Sequence, residues 1–345
     1  MTVRKNRIRL VGALLALVLS LSLVGCAVRE GSADDGRLRV VTTLFPYYDF
    51  ARAVAGDRAD VTLLLAPGRE AHSFEPTPLD AVTISRADVF IYNGGEGEVW
   101  ADDMLDAVGE DIGTVLRMMD FVDAREEEFS EGMQGADSHD HAHDHGHDHD
   151  HDHELHDHAE HDHDDSDEVE YDEHIWTSPK NAVVLCRVVC DAICRADAEN
   201  AAFYRANCEN YCAQLEDLDA RFAALCESAP RRLLIFADRF PMLYFCREYG
   251  LDYRAAFHGC SGDTEPSLAT IKFLIDKVED ENIPVVYTID FGTKKVAAVV
   301  SECTGAAIET LYSMQTVSRA DFDAGETYLT LMERNFEALR KGLNA

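Results

Sequence analysis

The arrangement of short apolar runs and helical stripes is the feature that most limits what this chain can fold into. Short β-branched runs, which predict buried strands, alternate with helical stretches up to residue 108, and the alternation begins again after Pro230. Alternating strands and helices indicate α/β units with mainly parallel sheets. The predicted strands are residues 40–45, 61–65, 89–93, 233–238, 252–257, 284–290 and 307–311. The predicted helices in these two regions are residues 47–56, 78–86, 98–108, 267–279, 293–304 and 319–342.

One long apolar stripe separates the two alternating regions. Apolar side chains recur at steps of four and three from Tyr204 to Leu225, which predicts one helix from near Asp197 to near Glu227. At 1.5 Å per residue this helix would span about 45 Å. This helix could join two α/β lobes or lie on the surface of one lobe. Two lobes joined by the helix is the simpler architecture. A buried helix that Ser178 caps precedes it, ending near Cys194.

The length of the chain fits this organisation, because 345 residues are long for one domain and natural for two. The predicted fold class is therefore α/β, with two lobes that each contain a mainly parallel sheet flanked by helices. We assign the first lobe to residues 38–196, the linking helix to 197–228 and the second lobe to 229–345.

The N-terminus reads as a targeting segment. Residues 4–9 are rich in arginine and lysine, and the apolar run 11–25 is too short for a comfortable membrane span. The run ends in Leu-Val-Gly followed by Cys26, which resembles the lipidation signal of bacterial lipoproteins, although an ordinary signal peptide with a coincidental cysteine remains the alternative. Residues 1–26 are then the signal peptide and 27–37 a flexible tether. A lipid on Cys26 would anchor the mature protein at the extracytoplasmic face of the cell membrane.

Histidine is distributed very unevenly. The chain has 15 histidines, and 12 of them lie between residues 139 and 163, alternating mainly with aspartate. A segment of this composition cannot bury apolar area, so residues 126–171 are predicted to be a disordered loop in the first lobe. The net charge of −34 makes nucleic acid an improbable partner and a cation a natural one. The loop is interpreted as an accessory metal collector with many weak sites, and an acidic solvated linker is the alternative reading.

Outside the loop, two of the three remaining histidines lie in loops next to predicted secondary structure. His72 follows a predicted strand in a proline-rich segment, and His174 immediately precedes a helix start. Loops at strand ends are where α/β proteins bind ligands, and imidazole is a common ligand for zinc-like ions.

The segments around these histidines resemble those of the metal-specific solute-binding proteins of ABC importers, in the zinc and manganese branch. The matching motifs are HSFEPTP at residues 72–78 and EHIWTSP at residues 173–179, and the resemblance extends over essentially the whole mature chain, including the His-rich loop. It implies two α/β lobes joined by a long rigid helix, a metal ion in the cleft between them, and His72 and His174 as metal ligands. Little movement on binding is implied, because the helix is stiff.

The chain departs from this family where a third ligand is expected. The family has a histidine or glutamate shortly before a Tyr-Gly-Leu segment, whereas residues 236–241 here read FADRFP. Asp238 is the nearest possible ligand, and His258, after the next strand, could reach the same cleft. Asp290 matches the acidic fourth ligand of the family. The structural alternatives are a salt bridge or helix cap for Asp238 and a hydrogen-bonded loop position for His258.

The remaining cysteines are interpreted as small buried apolar residues. Nine are left after Cys26, and the i, i+4 spacing of three of them places Cys186, Cys190 and Cys194 on one helix face. A thiolate metal site is the less favoured reading, because the chain has no CxxC pair.

Together these features predict a non-enzymatic, monomeric receptor for Zn²⁺, with Mn²⁺ possible, that delivers its ion to the permease subunits of an ABC transporter. A secreted zinc hydrolase would need an open coordination position and a general base, and the sequence has no HExxH motif. A surface metal-binding adhesin of the same fold is a further alternative.

Overall fold

The computed structural model of the chain describes residues 36–69, 71, 74–108, 112–133, 170–259 and 265–344. The predicted signal peptide, Cys26, His72 and the histidine run at 139–163 lie outside these residues. Among the described helices, none is both long and apolar enough to cross a membrane.

Residues 38–345 form one compact unit that contains two four-stranded parallel sheets. The strand orders are β2-β1-β3-β4 and β6-β5-β7-β8. The strands are β1 (Leu38–Thr42), β2 (Ala59–Leu63), β3 (Val89–Tyr92), β4 (Thr114–Arg117), β5 (Leu233–Phe240), β6 (Asp252–His258), β7 (Val285–Ile289) and β8 (Ala307–Leu311). The predicted pair of mainly parallel sheets flanked by helices is confirmed.

Ten α-helices occur in the described residues. They are α1 (Phe45–Ala55), α2 (Pro78–Ile84), α3 (Val99–Val108), α4 (Pro179–Ala196), α5 (Ala201–Ser228), α6 (Leu243–Tyr249), α7 (Leu268–Asp280), α8 (Lys295–Thr304), α9 (Arg319–Ala324) and α10 (Tyr328–Leu343). Ser178 caps α4 as predicted, accepting the backbone N–H of Asn181.

Helix α5 is the predicted long helix, with 28 residues and a length of about 42 Å. It contacts α1 and α4 of the first lobe and α6 and α10 of the second. Its apolar stripe, including the fully buried Tyr204, Leu215 and Phe222, lies in a core shared by both lobes. This helix therefore joins the lobes rather than covering one of them.

Three sequence predictions are corrected. The helix predicted over 319–342 is two helices, because Gly325 adopts φ +79 and ends α9, and Thr327 then caps α10. The strand predicted over 40–45 ends at Thr42, since Phe45 and Pro46 begin α1. The long helix begins at Ala201, after a 3-10 turn over Ala198–Asn200.

The edges of the predicted disordered loop are also corrected. Glu126 forms an antiparallel bridge with Tyr171. The Glu127 N–H donates to the Glu170 carbonyl at 2.8 Å, and the Asp172 N–H donates to the Arg125 carbonyl at 2.9 Å. Backbone pairing therefore holds the two ends of the 126–171 segment together. The residues that follow Glu126 lie against the second lobe, where Glu127 contacts His258 and Glu128 accepts from Arg247.

Candidate metal centre

His174 lies in a buried turn between the His-rich segment and helix α4. Its side chain is buried, and its carbonyl accepts hydrogen bonds from the backbone N–H and the hydroxyl of Thr177, which stabilise the 3-10 turn Ile175–Thr177. Asp172 accepts the His174 backbone N–H at 2.8 Å and lies 3.2 Å from the Nδ1 atom of the ring. This carboxylate fixes the ring orientation and makes Nε2 the atom through which a metal would bind.

The charges around His174 decide its protonation. Burial alone lowers the pKa of the imidazole, but the carboxylates of Asp172, Glu173 and Glu127 outweigh it, so the pKa lies above its ordinary value. The same carboxylates make the surroundings of the ring favourable for a cation.

Glu173 fixes the position of the turn relative to the first sheet. Its Oε1 atom accepts the Gly97 N–H at 2.7 Å, and its carbonyl accepts the Asn93 side-chain amide at 3.0 Å. A Cβ atom at Gly95 would lie 2.5 Å from the Glu173 carboxylate, so only glycine allows this approach. The EHIW segment is thus held at the end of strand β3.

A second set of contacts connects the His174 turn to the second lobe. The Trp176 indole donates to the Ser313 carbonyl at 2.8 Å, and Tyr328 donates through its hydroxyl to the Trp176 carbonyl at 2.7 Å. The Ser313 N–H in turn donates to Asp290 Oδ1 at 3.1 Å. The turn that carries His174 is therefore linked to Asp290 through two hydrogen-bonded residues, Trp176 and Ser313.

His258 lies at the end of β6 and faces the paired edge of the loop. Its Nδ1 atom lies 3.0 Å from Glu127 Oε2, and its ring centroid lies 5.2 Å from that of Phe129. The next residue, Gly259, runs beside His174, since a Cβ atom there would lie 3.0 Å from His174 Cε1. The structure therefore brings the His258–Gly259 segment to the first-lobe histidine.

Asp238 lies in β5 and Asp290 directly follows the neighbouring strand β7, and the two carboxylates lie near each other. Asp238 accepts the backbone N–H groups of Arg239 at 2.9 Å and Ile289 at 3.3 Å. Burial, with a smaller contribution from the nearby Asp238 carboxylate, raises the pKa of Asp290 to about 6. A Cβ atom at Gly292 would clash with Asp238, which explains the glycine there.

The four described candidates do not meet at one point. Within the described ranges, the ligand atoms of His174, His258, Asp238 and Asp290 form no group of three within 4.8 Å. His174 lies beside the His258–Gly259 segment, and Asp238 lies beside Asp290, each with its own hydrogen-bond partners. His72, the other strong candidate from the sequence, is outside the described residues.

Glu127 is a candidate that the sequence analysis missed. It contacts His258, and its charge also acts on His174. Burial raises the pKa of the neighbouring Glu170, with further contributions from the like charges of Glu127 and Glu96. No local motif marks Glu127, because it belongs to an acidic run in the segment assigned to the loop. The position of this acidic run upstream of the histidine run was the one available signal.

Comparison with known proteins gives a consistent set of similarities. The sequence model of the family described as ZnuA, zinc-uptake complex component A, periplasmic, matches residues 40–342. The high-affinity zinc uptake system protein ZnuA of Bacillus subtilis (strain 168) is 30% identical over 333 residues, which cover 95% of this chain and 95% of that protein.

A second relative is longer than this chain. The zinc-binding lipoprotein AdcA of Streptococcus pneumoniae (strain ATCC BAA-255 / R6) is 29% identical over 334 residues, which cover 96% of this chain and 60% of AdcA. Among solved structures, the metal-dependent lipoprotein YcdH from Bacillus subtilis matches with a TM-score of 0.70 and 27% identity, over 89% of this chain and 100% of that one.

Proposed function

Because this chain belongs to the ZnuA family of periplasmic zinc-uptake components, we propose that it is an extracytoplasmic receptor that binds one Zn²⁺ ion between its lobes and delivers it to an ABC-type importer. The observation that carries the proposal is the buried His174, whose Nδ1 atom is oriented by Asp172. A carboxylate that orients a histidine through its second nitrogen is the usual arrangement behind a metal-ligating imidazole.

The proposed ligands are His72 and His174, completed by residues of the second lobe. Asp290, Asp238 and His258 remain the candidates for the remaining positions. Support for Asp290 comes from its connection to the His174 turn through Ser313, and support for His258 from the passage of Gly259 beside the His174 ring. Zinc suits a site with two or more imidazoles and a carboxylate, and the relatives ZnuA and AdcA are described as zinc proteins.

The partners follow from the same family membership. The permease subunits of the importer would receive the ion, a lipid on Cys26 would keep the protein at the membrane, and the protein would act as a monomer without enzymatic activity. The histidine run at 139–163 would collect metal near the cleft, since residues 126–127 and 170–172, which flank the segment, are paired beside His174 and His258.

A competition titration with a chromophoric zinc chelator tests the assignment. The protein is prepared without residues 134–169, which preserves the backbone pairing at residues 126 and 171. We expect the His72→Ala/His174→Ala variant to bind one tight zinc ion fewer than the parent protein. The fold of that variant is checked by its circular dichroism and thermal unfolding.

Single variants at His258, Asp238 and Asp290 then identify the other ligands. The variant whose zinc affinity falls most has lost a ligand, whereas a structural residue would change thermal stability more than affinity. An unchanged number of tightly bound zinc ions in a folded His72→Ala/His174→Ala variant would refute the proposed site.

A further inference from the structure

A cluster of buried thiols lies between helices α4 and α5, away from the histidine motifs. Cys186, Cys190 and Cys194 line one face of α4, and Cys208 and Cys212 lie on the facing turns of α5. All five side chains are buried, as predicted. Their burial alone is what small apolar residues would show, so the separation of the sulfur atoms is the informative quantity.

The sulfur atoms of three of these cysteines converge. Among the described residues, Cys186, Cys208 and Cys212 are the one set of histidine, cysteine or acidic side chains that provides three potential ligand atoms within 4.8 Å of one another. The Cys208 and Cys212 sulfurs are 3.8 Å apart. In a tetrahedral zinc site with Zn–S bonds of about 2.3 Å, ligand sulfurs are about 3.8 Å apart. A CxxC pair is unnecessary here, because two helices supply the ligands.

The cluster is accessible to ions despite its burial. A cavity of about 300 Å³ is lined by Cys190, Cys208 and Cys212 at its apolar part and by exposed charged side chains around it. Those charged residues are Arg187, Asp191, Arg205, Glu209 and Glu216. Their carboxylates can attract a cation, and water from the cavity can supply a fourth ligand.

The three sulfur donors also decide which ions the cluster would bind. A soft thiolate is the preferred ligand of zinc-like d¹⁰ ions, and deprotonation of the thiols would accompany binding.

We propose that Cys186, Cys208 and Cys212 form a second metal site for a thiophilic divalent ion of the Zn²⁺ or Cd²⁺ type. The ion replaces the thiol protons, and three S–metal bonds form without any change of oxidation state. Because the ligands come from α4 and α5, the bound ion ties the helix that joins the two lobes to the first lobe.

Cadmium titration of the reduced full-length mature protein tests this site directly. Thiolate ligands give Cd²⁺ an ultraviolet charge-transfer absorption, which histidine and carboxylate ligands do not give, so ions in the cleft or the His-rich segment do not contribute. We expect the absorption to saturate at one equivalent of thiolate-bound Cd²⁺. It should be absent from the Cys186→Ala/Cys208→Ala/Cys212→Ala variant.

A matched triple variant provides the control. Cys226 and Cys246 are as deeply buried as the proposed ligands, and Cys303 is exposed. The Cys226→Ala/Cys246→Ala/Cys303→Ala variant should keep the full absorption and the rise in melting temperature that a bound ion produces. An unchanged absorption in the folded ligand variant, or its loss in the control variant, would overturn the assignment.

X-ray absorption at the cadmium edge, measured on the reduced wild-type protein at the Cd²⁺ concentration where the charge-transfer absorption saturates, needs no variant at all. A cadmium–sulfur shell with about three sulfur scatterers per thiolate-bound ion is expected. No charge-transfer absorption and no sulfur shell in the reduced wild-type protein would refute the site, even if the ligand variant failed to fold.

Discussion

The Asp172–His174 pair is the smallest unit on which the proposed zinc site depends. Asp172 contacts both the backbone N–H and the Nδ1 atom of His174, so one carboxylate fixes the backbone turn and the ring together. Its own position is set by the Tyr244 hydroxyl, which donates to the Asp172 carbonyl at 2.9 Å. A residue of the second lobe thus helps to orient a ligand from the first.

We expect Asp172→Asn to weaken zinc binding by about 10–100-fold, the usual effect of losing an outer carboxylate behind a histidine ligand. The amide keeps an acceptor for the His174 N–H but no longer stabilises the imidazole by its charge. Competition titration measures the affinity. Asp219→Asn is the control. Asp219 lies on α5 and accepts the Tyr249 hydroxyl, so this variant should leave the zinc affinity unchanged. Equal affinities for the two variants would contradict the role of Asp172.

Glu98 is a buried carboxyl whose titration should be visible in stability. Burial raises its pKa to about 7, although its carboxylate accepts the backbone N–H groups of Asn93 and Gly94. The folded state therefore holds a proton that the unfolded state releases between about pH 4.5 and 7. Stability from this group is present below that window and is lost as the pH rises through it.

The Glu98→Gln variant should lack this pH dependence. Relative to the variant, the wild-type protein should lose about 3 kcal/mol of unfolding free energy between about pH 4.5 and 7. Equilibrium denaturation at a series of pH values measures the difference. A difference that stayed constant, or that grew in favour of the wild-type protein at higher pH, would show that Glu98 is ionised when buried.

At the scale of elements, helix α5 carries the connection between the lobes. Phe222 is fully buried, with its ring centroid 4.9 Å from that of Phe245 on α6 and 5.4 Å from that of Phe336 on α10. One side chain of α5 thus packs against two helices of the second lobe. Earlier in the helix, Tyr211 donates through its hydroxyl to Asp49 of α1 at 2.7 Å.

Phe222→Ala should destabilise the protein by about 3–5 kcal/mol, because it removes a buried ring and leaves a cavity. Gln214→Ala, at an exposed position of the same helix, should change the free energy of unfolding by less than about 0.5 kcal/mol. Chemical denaturation measures the free energy of unfolding of both variants. Similar small effects for both variants would mean that the α5 contacts with the second lobe contribute little to stability.

The elements were predictable where the apolar pattern is long or strongly β-branched. The α5 stripe and seven of the eight described strands were identified, because buried parallel strands read as continuous apolar runs. Strand β4, with the sequence Thr-Val-Leu-Arg, was missed because it is short and only Leu116 of its four residues is buried. The break at Gly325 was missed because the apolar residues on both sides of it continue in helical spacing.

At the scale of the whole molecule, the candidate site was predictable only in part. Local motifs identified His72 and His174, since each sits in a distinctive loop sequence. Contacts between residues far apart in the sequence could not be predicted from local motifs. Glu127 meets His258, and Trp176 meets Ser313, only because two lobes fold against each other.

The net charge and the histidine run give a prediction for the whole protein. The intact chain should bind several more zinc ions than the chain without residues 134–169, and those ions should be weakly held and lost below about pH 6, where imidazole becomes protonated. Isothermal titration of both proteins at pH 7.5 and 5.5 measures the stoichiometries. Equal stoichiometries at the higher pH would refute metal collection by this segment.

Anomalous X-ray diffraction at the zinc absorption edge, from crystals of the zinc-loaded protein, locates the bound ion directly. We expect one strong anomalous peak between the lobes, about 2.0–2.1 Å from a nitrogen of His174 and from a nitrogen of His72. A zinc-loaded crystal in which His174 still contacts Asp172 but has no anomalous peak beside its ring would contradict the proposed zinc site.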